Sequence, residues 1–420
     1  MAIIYFILIL GITVLVHELG HFIFAKKYGV YVYEFSIGMG PRLFKFNRKN
    51  DETDYSIRLL PIGGYVQMAG ESVEVDEKIP KEKRLQAKSC FQRFMIMVAG
   101  VMMNFILALV LLFVIGISGN ISTNNLYIDD SSINGLNSDA KIVKVNNHFV
   151  NNYDKLALEL TIAGKNEFNL TVKENGKTKD ILIKPISVGK SNLIYGKDYG
   201  FTVADLNISS SKIKGLKKGD VISSIDGKTV DSYIDLLTIL SNVDKKFTLG
   251  ILDKKEEFKE FNIQIKENKK DTLAGYSYGF YLKGKSEKGF FAAIKYAFLK
   301  FFSTVEQMVF TVIYLVTGKI SLSMLSGPVG IFQVVNAYSK TGILNILSLL
   351  SLICVNVGFI NILPLPAFDG GHVLFIVIEK IKGSKVDPKL ENTIHNIGFI
   401  LLMILMVLVT YNDILRLIKG

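Results

Sequence analysis

The chain has 420 residues, 49% of them hydrophobic, and a positive mean hydropathy of +0.33. Few soluble globular proteins of this size are so apolar, so membrane-spanning segments are expected. The formal charge is +11, but the lysines and arginines are scattered and form no basic stripe interleaved with aromatic residues, which argues against a nucleic-acid-binding protein. The two cysteines, Cys90 and Cys354, predict neither a metal cluster nor a disulfide framework.

The first predicted element is an apolar helix at the N-terminus. Residues 3–25 are long enough to cross a bilayer, and the apolar run ends at Lys26 and Lys27. Residues 2–15 are similar to the core of a signal peptide, but they lack a preceding basic region and a following small-residue cleavage site. We therefore predict a retained transmembrane helix over residues 1–27.

That helix contains the motif His17-Glu18-Leu19-Gly20-His21. Two histidines four residues apart lie on one helix face, so both imidazoles can bind one tetrahedral zinc ion at ~2.0–2.1 Å. Glu18 lies beside the first histidine, where it can take a proton from a zinc-bound water, whose pKa the metal lowers toward ~7. Because ionisable groups at mid-membrane are costly, we interpret the motif as functional and not as a chance match.

Alternating apolar and polar residues follow between residues 31 and 70, with Gly and Asn/Asp turns, and predict a small sheet. A second span is predicted over residues 93–118, after a stretch rich in lysine and arginine. This stretch and the basic end of the first helix both flank the loop between the two spans. The positive-inside rule therefore predicts that the loop is cytoplasmic and that the N-terminus lies outside.

The region from about residue 120 to residue 288 is long and polar. It is expected outside the membrane, because the charge rule acts mainly on short loops. It contains two related units, a clear one over residues 215–240 and a fainter one over residues 135–160. Each unit has a turn, an alternating strand, a second turn and a helix, followed by further strands. A repeat of roughly eighty residues indicates two tandem domains.

Residues 287–342 are apolar and aromatic but carry charges at Lys295, Lys300 and Glu306. These charges favour amphipathic helices lying at the outer interface, with a further span over residues 287–319 as the alternative.

A third span is predicted over residues 343–382, broken at Pro364 and Pro366, and a fourth over residues 390–418. The lysines between these two spans predict a cytoplasmic connection. Four spans follow, with both termini outside.

A catalytic zinc needs a third protein ligand besides two histidines. Asp369 is the best candidate, because this acid lies in an apolar region just after the proline break, where non-helical backbone is buried in protein or lines a cavity. His372 remains the alternative, either as a ligand or as a residue that orients one. His148 and His395 are interpreted as ordinary surface or helix-end histidines.

Together these features resemble the site-2 protease family, the intramembrane zinc metalloproteases of M50 type, and more narrowly the bacterial regulators of sigma-E protease, the RseP/RasP group. The resemblance covers nearly the whole chain. It is carried by the HExxH motif, by the distal N-x-x-P-x-x-x-x-D-G motif from Asn361 to Gly370, and by residues 35–41, 59–65, 68–71, 99–100, 104–105 and 325–331. One departure is Val101 after Gly100, where the family usually has proline.

The resemblance implies a role for each residue of the two motifs. His17, His21 and Asp369 would bind Zn²⁺, Glu18 would be catalytic, and Asn361 would position the substrate near the scissile carbonyl.

The resemblance also implies the nature of the intervening regions. Residues 31–72 would form a membrane-associated β-hairpin loop, whose exposed edge could bind an extended substrate by strand addition. The polar region would hold tandem PDZ-like domains, a degenerate one over residues 119–195 and a second over residues 196–285. This pair would act as a size filter that admits only substrates whose outer part has been trimmed.

The expected fold is an α-helical polytopic membrane protein with four transmembrane helices, a membrane-associated β-hairpin loop and β-rich extracytoplasmic tandem PDZ-like domains. It would lie in the bacterial inner (cytoplasmic) membrane, with its active site within the bilayer towards the cytoplasm. The expected activity is hydrolysis of a peptide bond in single-pass membrane proteins; anti-sigma factors and remnant signal peptides are the substrate classes that the resemblance suggests. Two alternatives stay open: a non-proteolytic membrane scaffold with structural zinc, and a soluble zinc protease with a cleaved leader.

Overall fold

The computed structural model describes residues 1–49, 51–71, 78–118, 121–123, 126–271, 273–283, 285–321 and 325–419. The chain divides into two compact units, Met1–Ile121 with Glu287–Gly420, and Ser122–Ser286. Residues 72 and 119, at which the hairpin loop was predicted to end and the outer domains to begin, lie outside the described residues.

The helices of the described residues are α1 (Ala2–Lys27), α2 (Cys90–Ser118), α3 (Tyr153–Ala163), α4 (Tyr233–Ser241), α5 (Phe290–Val316), α6 (Pro328–Tyr338), α7 (Ile343–Ile362), α8 (Asp369–Lys382) and α9 (Pro388–Lys419), with short 3₁₀ turns at Lys81–Lys83 and Leu85–Ala87. Five of them, α1, α2, α5, α7 and α9, are long and apolar enough to cross a membrane. The sequence predicted four spans. The fifth helix of this length and hydropathy is α5, which lies in the segment where an interfacial helix was favoured over a span.

Helices α1 and α2 pack antiparallel at very short range. A methyl group at Gly20 would overlap the backbone of Ala99, so the pair depends on small residues where the helices cross. Close backbone approach through small residues is the usual way in which membrane helices associate. It brings the α2 backbone to the helix face that carries the two histidines.

The predicted third span consists of two helices. α7 ends at Ile362, and Leu363 is extended because Pro364 disfavours the helical conformation in the residue before it. The chain then turns through the proline-containing loop, and α8 begins at Asp369. This break places a carboxylate at the start of a helix instead of within one.

Strands β1 (Val32–Asn47) and β2 (Asp54–Met68) form an antiparallel pair in which both strands bend. The first half of β1 pairs on one side with the end of β2, as in Phe35–Val66, and on its other side with the start of β2, as in Phe35–Tyr55. The second half of β1 pairs with the start of β2, as in Asn47–Asp54. The result is a small sheet of four strand segments, with residues 64–68 along one edge.

The remaining strands are β3 (Ile121–Thr123), β4 (Ile128–Ser131), β5 (Lys141–Val145), β6 (His148–Phe149), β7 (Phe168–Glu174), β8 (Lys177–Ile183), β9 (Ile186–Gly189), β10 (Lys197–Asp198), β11 (Phe201–Ala204), β12 (Asn207–Ser211), β13 (Val221–Ile225), β14 (Lys228–Thr229), β15 (Lys246–Leu252), β16 (Phe258–Gln264), β17 (Lys266–Glu267), β18 (Leu273–Ser277), β19 (Phe280–Leu282) and β20 (Lys285–Glu287).

Two β-rich domains make up the second unit. The first has the strand order β6-β5-β7-β8 with α3 against its core, and the second has the order β11-β12-β13-β15-β16 with α4 against its core. Strand β19 pairs with β4, and its Phe280 and Leu282 pack on the core of the first domain. The second domain is therefore inserted into the first. The predicted second domain, residues 196–285, includes β19, but this strand belongs to the first domain.

Candidate metal centre

Three of the predicted site residues meet at one point in the first unit. The Nε2 atoms of His17 and His21 lie 3.1 Å apart, and Asp369 Oδ2 lies 3.0 Å from the first and 3.3 Å from the second. Both histidines are buried, and Asp369 is largely covered. The structure thus brings together residues that are some 350 positions apart in the chain.

Local structure explains how each side chain arrives there. The histidines are four residues apart on α1, one helical turn, so their rings share a face. Asp369 is the first residue of α8, and the chain reaches it through Pro366, Ala367 and the extended Phe368. Ala367 has φ = +74°, a left-handed conformation that residues other than glycine rarely adopt. This turn ends the loop and aims the carboxylate at the histidines.

Besides α1 and the loop before Asp369, the α2 backbone at Gly100 lines the site. A side chain there would overlap His21 Nε2 and would lie 2.7 Å from His17 Cε1. Any residue with a Cβ would therefore push into the space shared by the two imidazoles. Glycine at this position keeps that space open.

The opposite nitrogen of each imidazole faces an α2 group. His21 Nδ1 lies 2.8 Å from the carbonyl oxygen of Ile96, so Nδ1 carries the proton and Nε2 keeps its lone pair. The side-chain amide of the fully buried Asn104 lies 3.5 Å from His17 Nδ1, and its Oδ1 has no partner among the described residues. With the amide turned over, Asn104 Oδ1 accepts the Nδ1 proton of His17. Such partners fix the tautomer in which Nε2 binds a metal.

The cluster passes a test of fit for a tetrahedral metal ion. Bonds of ~2.0–2.1 Å to nitrogen and oxygen give ligand-to-ligand separations of about 3.3–3.4 Å, close to the three distances observed. Asp369 Oδ2 makes no hydrogen bond of acceptable geometry within the described part of the chain, although it is buried. Two neutral imidazoles and one carboxylate are a donor set typical of catalytic zinc, which keeps a fourth position open.

Glu18, the acid of the motif, lies next to this cluster and contacts the β-sheet. Its Oε2 accepts a hydrogen bond from the Val66 backbone N–H at 3.2 Å. Two residues further, the Met68 N–H donates to Glu71 Oε2 at 3.2 Å. The edge formed by residues 64–68 therefore directs the N–H groups of Val66 and Met68 towards two carboxylates, one of which is that of Glu18 beside the cluster.

His372 belongs to a second cluster with Glu391 and His395 from α9. Its Nδ1 lies 2.9 Å from Glu391 Oε1, and its ring stacks on His395 at 3.9 Å and 14°. His395 Nδ1 accepts the Ala367 N–H at 3.1 Å, so the neutral ring carries its proton on Nε2 and has no lone pair left. The lone pairs of the two stacked rings also lie in nearly parallel planes, so they do not converge on one ion. This second cluster does not fit a metal ion.

The remaining polar candidates have different surroundings. Asn361 is half-buried in the last turn of α7, and His148 Nδ1 lies 2.9 Å from Oε2 of the buried Glu159. Two neighbours of the cluster were given no site role from the sequence. Asn104 belongs to a segment that carries the family resemblance, and an asparagine inside an apolar span is itself a functional signal. His395 had none, because its contact with the loop before Asp369 joins two distant parts of the chain.

Comparisons with known proteins agree with this geometry. Residues 5–405 match peptidase family M50. The chain is 31% identical to the Regulator of sigma-W protease RasP of Bacillus subtilis, over 98% of each chain. It is also 31% identical to the Zinc metalloprotease RasP of Geobacillus kaustophilus, over 98% of this chain and 97% of that one, and to the Zinc metalloprotease RasP of Shouchella clausii, over 98% of each.

These matches span nearly the whole chain, including both metal-site motifs. They confirm the family, the class of enzyme and the metal that the sequence predicted, and the apolar helices agree with a multi-pass membrane protein. The chain belongs to peptidase family M50.

Proposed function

We propose that this protein is an intramembrane zinc metalloprotease that hydrolyses a peptide bond within or near the membrane helix of single-pass substrates. The observation that carries the proposal is that Asp369 meets His17 and His21, with Glu18 beside them, and that these two histidines and Glu18 lie on α1, a helix long enough to span a bilayer. A site at this depth acts on peptide bonds that soluble proteases do not reach.

Each residue has a distinct task in the proposed reaction. His17, His21 and Asp369 would hold the zinc, which when bound would polarise the scissile carbonyl and acidify water. Glu18 accepts the proton of the attacking water and then donates it to the leaving amine. Asn361, on the helix that leads into the Asp369 loop, would hold the substrate backbone near the scissile bond.

The sheet edge of residues 64–68 is the proposed substrate-binding strand. A helical peptide bond is shielded by its own hydrogen bonds, so the substrate must unwind before water can attack it. The Val66 N–H already points at Glu18, and an extended peptide paired with this edge would therefore pass beside the catalytic carboxylate.

The position of the sheet beside α1 supports its association with the membrane. A methyl group at Gly11 would lie 2.7 Å from the Pro61 carbonyl oxygen, and one at Gly63 would lie 2.9 Å from Val14 Cγ1. The sheet therefore runs along the middle of α1. Large apolar side chains are exposed on it, as expected of a surface that faces lipid: Met39, Leu43, Phe44, Phe46, Leu59 and Leu60.

We propose four full spans, with α5 entering the bundle from the outer side and packing along α2 as far as the contact of Phe301 with Phe105. Because α1 and α2 are antiparallel, the start of α1 and the end of α2 share one side of the bundle. α5 begins at that side, where Phe290 contacts Phe113, and α6 lies there too, where Phe332 contacts Phe6. α7 follows α6 after a short turn. The chain enters both α5 and α7 from the outer side. If α5 crossed the bilayer completely, the chain would have to cross back before α7, and the described residues between α5 and α7 contain no helix long enough to do so.

The β-rich unit is proposed to be a pair of PDZ-like domains on the outer side. Both domains share the sequence Tyr-Gly-Phe, at residues 199–201 and 278–280, with the glycine at positive φ and a strand after it. In the second domain the outer edge of β11 is already paired, because the Val203 N–H donates to the Ser191 carbonyl and the Asn192 amide donates to the Val203 carbonyl. Leu193 is fully buried beside them. Because residues of the same chain already occupy the edge of β11, we propose that this domain acts as a steric filter and does not bind peptides by strand addition.

The proposed substrates follow from the relatives. RasP of Bacillus subtilis is named as a regulator of sigma-W protease, and we propose membrane-tethered anti-sigma factors as the substrate class here, with remnant signal peptides as a second class. The proposed location is the bacterial cytoplasmic membrane, with the active site towards the cytoplasmic side.

The test is cleavage of a single-pass substrate in reconstituted vesicles by the wild-type protein and by Glu18→Gln. We expect cleavage to fall by ~10²–10⁴-fold while zinc content stays at one ion per chain, because the substitution removes the base and keeps the ligands. Unchanged cleavage in the variant would contradict the proposal. Loss of zinc in the variant would also contradict the proposal, because His17, His21 and Asp369 would then not suffice to hold the ion.

A further inference from the structure

The loop that presents Asp369 is held in place by a buried histidine of α9. His395 Nδ1 accepts the backbone N–H of Ala367 at 3.1 Å, two residues before Asp369. We propose that His395 is a positioning residue, which fixes the Asp369 carboxylate at the distance that zinc requires without touching the metal itself. The inference rests on the proposed function, since it takes Asp369 as a zinc ligand.

The hydrogen bond acts at the most constrained point of the loop. Ala367 is the one residue other than glycine with a positive φ in the described part of the first unit. A residue with a Cβ stays in this conformation only when its surroundings determine it. If the acceptor at His395 is lost, Ala367 relaxes towards ordinary backbone angles, and the direction in which the chain enters Asp369 changes with it.

His395 is itself held from several directions. Its ring stacks on His372, which is bonded to Glu391 on the same helix. A methyl group at Gly371 would lie 2.9 Å from His395 Cε1, so the start of α8 packs directly on the ring. The acceptor atom therefore has a defined position.

A second contact joins the same helix to the same loop. A methyl group at Gly398, one turn after His395, would overlap Pro366. α9 thus lies against the loop at two successive turns, and within the described part of the chain the histidine provides the one hydrogen bond between them. Asp369 is the only one of the three proposed ligands on this loop, so the effect of His395 should fall on a single ligand.

The side-chain chemistry of His395 supports a specific role for Nδ1. The ring is 8% exposed, and its Nε2 has no partner among the described residues. A buried donor left unsatisfied is destabilising, so a purely apolar ring would fit this position better if packing were the only requirement. What the histidine adds over such a ring is the acceptor for Ala367.

The experiment compares two substitutions that separate the acceptor from the ring, in protein carrying Glu18→Gln so that substrate turnover does not interfere. His395→Phe keeps the ring and its stacking but removes the acceptor, whereas His395→Asn places a carbonyl oxygen near the position of Nδ1. Zinc affinity is measured by competition with a chelator, and the absorption spectrum of the cobalt-substituted protein reports the ligand set.

We expect His395→Phe to weaken zinc binding by ~10–100-fold, the usual effect of losing a group that orients a ligand, and His395→Asn to restore most of it. The control is His148→Phe, a surface histidine of the other unit, which should leave zinc affinity unchanged. Equal loss in the Phe and Asn variants would assign His395 to packing and overturn the inference, as would full affinity in both. A Glu18→Gln parent without zinc would overturn the proposed function, and this inference with it.

Discussion

Two clusters of metal-ligand side chains lie only a few residues apart in this protein, and only one of them suits a metal. His17, His21 and Asp369 form the first, which contains three donor atoms within 3.3 Å of one another. His372, Glu391 and His395 form the second, with donor atoms within 4.8 Å. The residue types are the same, two histidines and one carboxylate. Asp369 and His372 are both in the first turn of α8.

The difference lies in what the second nitrogen of each ring does. In the first cluster His21 donates its Nδ1 proton to the Ile96 carbonyl, which leaves Nε2 as a lone pair directed at the centre. In the second cluster His395 uses its Nδ1 lone pair to accept from Ala367. Proximity of ligand-type residues therefore does not define a metal site. A metal centre needs lone pairs that converge on one point, and it needs the other ring nitrogen of each histidine to donate its proton elsewhere. The second cluster instead holds a backbone N–H.

The largest expected effect is the loss of the carboxylate from the first cluster. Asp369→Ala should lower zinc affinity by more than ~100-fold, because two imidazoles alone hold zinc poorly. Loss of a group that only orients a ligand usually costs at most that much. Zinc content after dialysis against a weak chelator is the measurement. Glu391→Ala removes the equivalent carboxylate of the second cluster and should retain one zinc per chain. Similar zinc loss in both variants would erase the distinction between the clusters.

A smaller effect is expected from filling the space beside the imidazoles. Gly100→Ala places a methyl group against His21 Nε2 and His17, so the rings must move apart, and zinc affinity should fall by about tenfold or more, as when an outer partner is lost. Gly116→Ala is the matched control, since it crowds α2 against Ala293 and lies far along the helix from the histidines. Full zinc affinity in Gly100→Ala would show that the α2 backbone does not shape the site.

The smallest expected effect is at His372. His372→Gln removes the ring that stacks on His395 but no ligand of the first cluster, so zinc affinity should change by less than ~10-fold. Titration of the purified variant with zinc would measure it. A loss as large as that of Asp369→Ala would return His372 to the role of ligand, the alternative that its place in the sequence left open.

The same comparison shows which parts of the site were accessible from sequence. His17 and His21 were found because helical periodicity is local, and four residues always make one turn. Asp369 was found because a proline break frees the backbone within an apolar region, and an acid just after such a break is expected to face protein or a water-filled cavity and not lipid. His395 was set aside as an ordinary helix-end histidine, because its partner is a backbone N–H 28 residues away that no side-chain pattern encodes.

The fold was accessible to a similar degree. Long apolar runs predicted α1, α2, α7 and α9, since length and hydropathy are properties of the segment alone. Hydropathy does not distinguish an interfacial helix from a span at α5, because both bury an apolar face. The insertion of the second β-rich domain into the first also escaped prediction, since β19 joins β4 across about 150 residues and only a Tyr-Gly-Phe repeat marks the relationship.

The most direct test of the central claim is the metal content of purified full-length Glu18→Gln protein, combined with X-ray absorption at the zinc edge. We predict one zinc ion per chain, bound by two imidazole nitrogens and a carboxylate oxygen. A metal-free protein, or one with two zinc ions per chain, would contradict the assignment of the first cluster as the metal centre and of the second as its support.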